Sequence, residues 1–101
     1  MNETLLALAD PTRRHMVDML RQGERSAGEI ERALGMSQPA ASKHLRTLRE
    51  AGLVAVRKDA QRRVYRLNPA KLAAIDAWLE PYRAFWANRL DALEHHLNSE
   101  V

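Results

Sequence analysis

The period of the apolar positions changes twice along the chain. Leu5, Leu6, Leu8 and Ala9 open it as a short apolar cluster, followed by Asp10-Pro11-Thr12. An aspartate able to accept from free N–H groups, with proline at the first helical position, predicts a helix start. Met16, Val17, Met19 and Leu20 then recur at a spacing one helix face can bury, and Gly23 ends the run. Ser26 with Glu29 three residues on matches a capping box, and Ile30, Ala33 and Leu34 supply the inner face of a helix of about two turns. Gly35 permits a tight reversal before the next cap at Ser37, and a further helix is predicted to run to about Glu50, with Gly52 as its stop. Short helix, glycine turn and second helix together make a helix-turn-helix.

At Leu53 the pattern changes. LVAVRKD and RRVYRLN are two short β-favouring runs, with Val54, Val56, Val64, Tyr65 and Leu67 as their apolar or β-branched members. Between them KDAQR is polar and lacks glycine, which predicts a turn longer than the tight two-residue kind. From Pro69 the chain is helical again. Leu72, Ile75, Trp78 and Leu79 form one stripe, continued by Tyr82, Phe85, Trp86, Leu90, Leu93 and Leu97. Pro81 lacks an N–H, so a kink or a split into two helices is expected near Leu79. The expected fold is mainly α with a small β-hairpin (α+β): a winged helix-turn-helix with four helices, a two-stranded wing and a C-terminal helix or kinked helix pair. One domain over 1–101 is expected, with a winged helix-turn-helix core at about 10–68 and C-terminal helices at about 69–99.

The stretch SQPAASKHLRTL, residues 37–48, buries little for a helix. With Ala41 at the centre of the inner face and about 100° per residue, Leu45 and Leu48 fall within about 40° of it, and His44 and Gln38 lie at its edges. Pro39, Ala40, Ser42, Lys43, Arg46 and Thr47 point outward, none of them bulky and apolar. Such a helix suits the major groove of DNA, which needs small or hydrogen-bonding side chains towards the base edges and cations towards the phosphate walls. Gln38 can pair with adenine, Ser42 or Thr47 can bond either way, and Lys43 and Arg46 can reach guanine or phosphate. Ser37 and the first-turn amides form a phosphate site. An ordinary surface helix is the alternative reading of this stretch taken alone; the glycine-linked helix before it and the basic hairpin after it favour DNA.

Charge placement points the same way. The net charge is only +3, yet Lys43 to Arg66 holds eight basic and two acidic residues, leaving eight basic and eleven acidic elsewhere. One strongly basic segment on a neutral-to-acidic body is an electrostatic footprint for a polyanion. In the wing, Lys58, Arg62 and Arg63 lie near the loop tip, placed to touch backbone or the adjacent minor groove. The chain has no cysteine, which excludes disulfides, thiolate metal sites and cysteine redox sensing. No long apolar run or secretory start is present, so no membrane partner and a cytoplasmic location are expected.

LALADPTRRHMVDML, SAGEIERALGMSQPAASKHLRTLREAGLV and VRKDAQRRVYRLNP closely resemble the ArsR/SmtB family of bacterial winged-helix transcriptional repressors, over about residues 4–69. The C-terminal DAWLEPYRAFWANRLDALEHHL is similar to a subgroup often encoded beside small-molecule-binding helix-grip proteins. The resemblance implies a homodimer whose two recognition helices enter successive major grooves of an imperfect palindrome in double-stranded operator DNA. It also implies DNA contacts at Gln38, Ser42, Lys43 and His44, adding to Ser37, Pro39, Arg46, Thr47 and the wing cations. The first and last helices would form the dimer interface, in accord with the apolar excess of Leu5, Leu6, Leu8, Trp78, Tyr82, Phe85, Trp86 and Leu93; a core within one subunit is the alternative for the aromatics. Repression of its own promoter is a further implication.

Metal sensing, common among such relatives, finds no recognisable ligand set. Where the family carries Cys-x-Cys before the recognition helix, this chain has Glu31 and Ala33 in EIERA. Where it carries Asp-x-His on the last helix, Asp76 is followed by Ala77 and Trp78. His95 and His96 are adjacent, not four residues apart on one face, although Glu94 or Asp91 could join them across a dimer. No metal or other cofactor is therefore expected. No nucleophile elbow, phosphate loop or metal-acid motif indicates an enzyme. Two rival readings are a repressor sensing an unidentified effector, such as an organic molecule among Trp78, Tyr82, Phe85 and Trp86, and a winged helix that docks proteins.

Overall fold

The computed structural model describes residues 1–99; Glu100 and Val101, the end of the expected 1–101 domain, lie outside the described residues. Five α-helices and three strands follow in the order α1 (Asn2–Ala7), α2 (Pro11–Gln22), β1 (Arg25–Ser26), α3 (Ala27–Leu34), α4 (Gln38–Glu50), β2 (Val54–Asp59), β3 (Arg62–Leu67) and, after a 3-10 turn at Pro69–Lys71, α5 (Leu72–Ser99). The start signals act as their chemistry requires. Asp10 accepts from the N–H of Thr12 at 2.8 Å and of Arg13 at 3.1 Å, and the capping box of Ser26 and Glu29 closes in both directions.

Helices α3 and α4 end in the same way. Gly35 and Gly52 take left-handed φ of 62° and 78°, and the following N–H reaches back to the carbonyl five residues earlier, Met36 to Glu31 and Leu53 to Leu48, both at 3.0 Å. This closure satisfies helix-end carbonyls and favours glycine, which takes the left-handed position without a Cβ penalty. It turns the chain sharply between α3 and α4, and again from α4 into the wing.

The core lies between α2, α3, α4 and the sheet, with Met16, Ile30, Leu45, Leu48 and Leu53 fully buried. Ile30 and Leu34 face it as expected, whereas Ala33 is exposed. The wing differs from expectation in two respects. It is a three-stranded antiparallel sheet in the order β1-β3-β2, because Arg25 and Ser26 pair with Tyr65 and Val64. Its loop is the tight two-residue kind, Ala60-Gln61, between the facing residues Asp59 and Arg62. Ala60 accepts a φ of 56°, a conformation that costs roughly 1–2 kcal/mol without glycine. The ladder of six β2–β3 residue pairs offsets it.

Helix α5 continues unbroken through Pro81, so of the two alternatives the single helix is realised. Arg83 spans the proline, donating to the Asp76 carbonyl at 3.0 Å and to the Glu80 carboxylate at 2.8 Å, and it also pairs with the Asp76 carboxylate. At 28 residues the helix is about 42 Å long and gives the molecule its 63 Å axis. Leu72 packs against the core, yet no residue of α5 is buried.

Candidate nucleic-acid interface

Helix α4 is two-faced. Ala41, Leu45 and Leu48 are its buried residues, the three placed inward from the sequence. Gln38, Pro39, Ser42, Lys43 and Arg46 are exposed, while His44 and Thr47 are half-buried. Ser37 caps the helix, its Oγ accepting from the Ala40 N–H at 3.3 Å. Gln38 Nε2 donates to Ser42 Oγ at 3.4 Å, one turn on, so the two groups proposed to read bases lie side by side. Thr47 differs from its neighbours: its hydroxyl donates to the Lys43 carbonyl at 3.2 Å, and with Leu6, Ala7 and Arg13 it lines a cleft against α1.

The wing cations fall into two groups. Arg57 is held by Glu24 at 2.9 Å and lies 3.8 Å from Asp59; the Glu24 carboxylate raises the Arg57 pKa above its ordinary value. Arg62 pairs with Asp59 at 3.2 Å. Lys58 and Arg63, facing each other across the ladder, are exposed and have no ion-pair partner among the described residues. The wing tip stands over the start of α3, where Gln61, Arg62 and Arg63 share a cleft with Ser26, Gly28, Glu29 and Arg32. The Glu29 pKa is lowered, first by the N–H of Ser26 and then by its hydroxyl, with smaller help from Arg25 and Arg62.

The long-range partners Glu24 and Arg13 were not foreseen. Arg13 donates to the carbonyls of Ala7 at 2.6 Å and Leu6 at 3.2 Å, and Arg14 to that of Leu8 at 2.7 Å. These two arginines fasten α1 to the start of α2. The only sequence signal was their place directly after Asp-Pro-Thr, within reach of the preceding helix end.

The residues assigned to a dimer interface are not equivalent. Leu5 and Leu6 are exposed, but Leu8 packs against the core of its own chain. On α5, Trp78, Tyr82, Phe85, Trp86 and Leu93 are each about half exposed, between 45% and 54%. Trp78 and Tyr82 meet with ring centroids 5.3 Å apart, and Arg89 lies 4.9 Å over the Phe85 ring. Among the described residues no cluster of three or more metal-ligating side chains occurs, and no helix is long and apolar enough to cross a membrane.

A buried-stripe recognition helix, a glycine-linked helix before it and a basic antiparallel wing after it define a winged helix-turn-helix DNA-binding protein. Residues 10–56 match the family described as bacterial regulatory protein, arsR family. The chain is 43% identical to the HTH-type transcriptional regulator Rv2034 of Mycobacterium tuberculosis, over 93% of its own length and 85% of the relative's. It is 34% identical to the transcriptional repressor SdpR of Bacillus subtilis, over 78% of this chain and 88% of that one. A crystal structure of a possible transcriptional regulator for arsenical resistance superposes with a TM-score of 0.71 at 42% identity, covering 90% and 92% of the two chains. The chain belongs to the arsR family: it is a DNA-binding transcriptional repressor and not an enzyme.

Proposed function

We propose that the protein is a homodimeric repressor in the cytoplasm that binds an imperfect palindrome, its own promoter included, with α4 in the major groove and the wing on backbone or minor groove. Residues 1–101 act as one domain, about 10–68 meeting DNA and about 69–99 pairing the subunits. The observation that carries this reading is the two-faced α4. Three buried apolar residues anchor it, and its outward surface offers only short, polar or basic side chains with the Gln38–Ser42 pair at the leading end. Dimerisation is supported by the run of half-exposed aromatic and leucine side chains on α5, which water would not leave uncovered at little expense. Two recognition helices one DNA turn apart, about 34 Å, would match a palindromic site.

Selection of duplexes from a random pool by the intact protein, followed by titration of Gln38→Ala, tests the reading. A symmetric selected site and a loss of base discrimination of about 1–3 kcal/mol at one position per half-site are expected. Equal loss on selected and random duplexes would remove Gln38 from base reading.

A further inference from the structure

His44 belongs to α4 but faces α2. Its Nδ1 lies 3.4 Å from Arg13 Nη1, on a guanidinium whose other nitrogens are already committed to the carbonyls of Ala7 and Leu6. The guanidinium is therefore held in place by α1 before it meets the imidazole. An arginine side chain has donors only and keeps its charge, so this contact is a hydrogen bond only if Nδ1 is bare. A neutral imidazole bare at Nδ1 carries its proton on Nε2. The Asp10 carboxylate, held below its ordinary pKa first by the N–H of Arg13, is occupied by the N–H groups of Thr12 and Arg13, and Glu3 and Glu50 line the cleft that Arg13 also lines. The ring is half-buried, and among the described residues no other group hydrogen-bonds it.

We propose that Arg13 is a positioning residue that fixes His44 as the Nε2–H tautomer, so that α4 presents a hydrogen-bond donor there to an acceptor on DNA. The acceptor is a purine N7, a guanine or thymine carbonyl oxygen, or a phosphate oxygen. This rests on the reading of α4 as the helix that meets DNA. It gives α1 and α2, which carry none of the proposed DNA-contacting residues, a part in specificity: they decide which hydrogen-bonding role His44 plays.

Two substitutions separate the ring's two nitrogens. The Oδ1 of His44→Asn stands near the place of Nδ1 and still accepts from Arg13, but the distal donor is gone. The amide of His44→Gln stands near the place of Nε2 and still donates, but the acceptor for Arg13 is gone. On a duplex selected by the wild-type protein, His44→Asn is expected to bind roughly five- to tenfold more weakly, the scale of one hydrogen bond, and His44→Gln within about twofold of wild type. A greater loss on the selected than on a random duplex identifies a base acceptor, and an equal loss a phosphate. Wild-type affinity for His44→Asn, or weaker binding by His44→Gln than by His44→Asn, overturns the proposal. If Gln38→Ala is also without effect on that duplex, the reading of α4 itself has failed.

The second measurement needs no DNA. In protein labelled with nitrogen-15 at histidine, with the His44 signals assigned by their loss in His44→Gln, imidazole nitrogen NMR is expected to show Nε2–H alone. Arg13→Met, of similar length but without donors, is expected to release a mixture of tautomers. Arg13→Lys keeps a donor and should restore the wild-type pattern. An Nδ1–H signal from wild type, or an unchanged spectrum in Arg13→Met, refutes the tautomer assignment. Should Arg13→Met not fold, the wild-type spectrum and the two His44 variants still decide.

Discussion

Leu48→Ala and Ser42→Ala alter opposite faces of α4 and should produce opposite phenotypes. Leu48 is fully buried, so truncation removes three carbons from the core and leaves a cavity the helix cannot fully close. Substitutions of this kind cost about 2.7–5.0 kcal/mol. Even the lower value is a large part of a typical stability of roughly 5–15 kcal/mol. At about 3 kcal/mol it corresponds to a fall of roughly 12–24 °C in melting temperature for a domain of this size. Ser42 is exposed, and its loss should change stability by less than about 0.5 kcal/mol. The assay is urea unfolding of both variants at one fixed protein concentration, since dimerisation would couple stability to concentration. Binding to the selected duplex is then measured in the cold, where Leu48→Ala stays folded. Leu48→Ala is expected to be unstable yet to keep most of its affinity; Ser42→Ala is expected to be stable and to bind more weakly. A destabilisation below about 1 kcal/mol for Leu48→Ala would mean that the inner stripe is not the anchor. Undiminished binding by Ser42→Ala would mean that the outer face does not read DNA at this position.

Arg62→Ala combined with Arg63→Ala should weaken binding to all duplexes alike and reduce the salt slope of affinity by about 1 for each phosphate that is no longer neutralised; the smaller change is expected from Arg62, which already pairs with Asp59. Trp86→Glu places a charge in the middle of the apolar face of α5 and should yield monomers in sedimentation, an unchanged dimer moving the interface elsewhere. Asp10 has a folded-state pKa below its ordinary 3.8, because the Arg13 and Thr12 N–H groups favour the carboxylate. Its stabilising effect is thus complete above that ordinary value and is lost as pH falls through the lower folded pKa. The stability gap between wild type and Asp10→Ala should accordingly be constant near neutrality and close in acid, as thermal unfolding across pH would show.

Most of what the sequence determined is local. Asp10, Ser26 and Ser37 start helices because their side-chain oxygens meet N–H groups two or three residues on. Gly35 and Gly52 end helices because a left-handed residue there closes the chain on itself. The period of the apolar residues placed Ala41, Leu45 and Leu48 inward, and thereby exposed the candidate reading face. The tertiary structure decided what depends on partners distant in sequence. Arg57 finds Glu24 33 positions away, and Arg13 finds His44 31 positions away; neither pairing has a signature in the residues around it. Ser26, read as a helix cap, also joins Arg25 in a strand, because β3 offers them an unpaired edge. The hairpin ladder closed a two-residue turn on an alanine that its own preference would have avoided, and α5 passed through Pro81 as one helix. For the edge strand and the wing turn, a partner strand brought alongside by folding outweighed the local conformational preference; along α5, Arg83 bridges the proline from within the same helix.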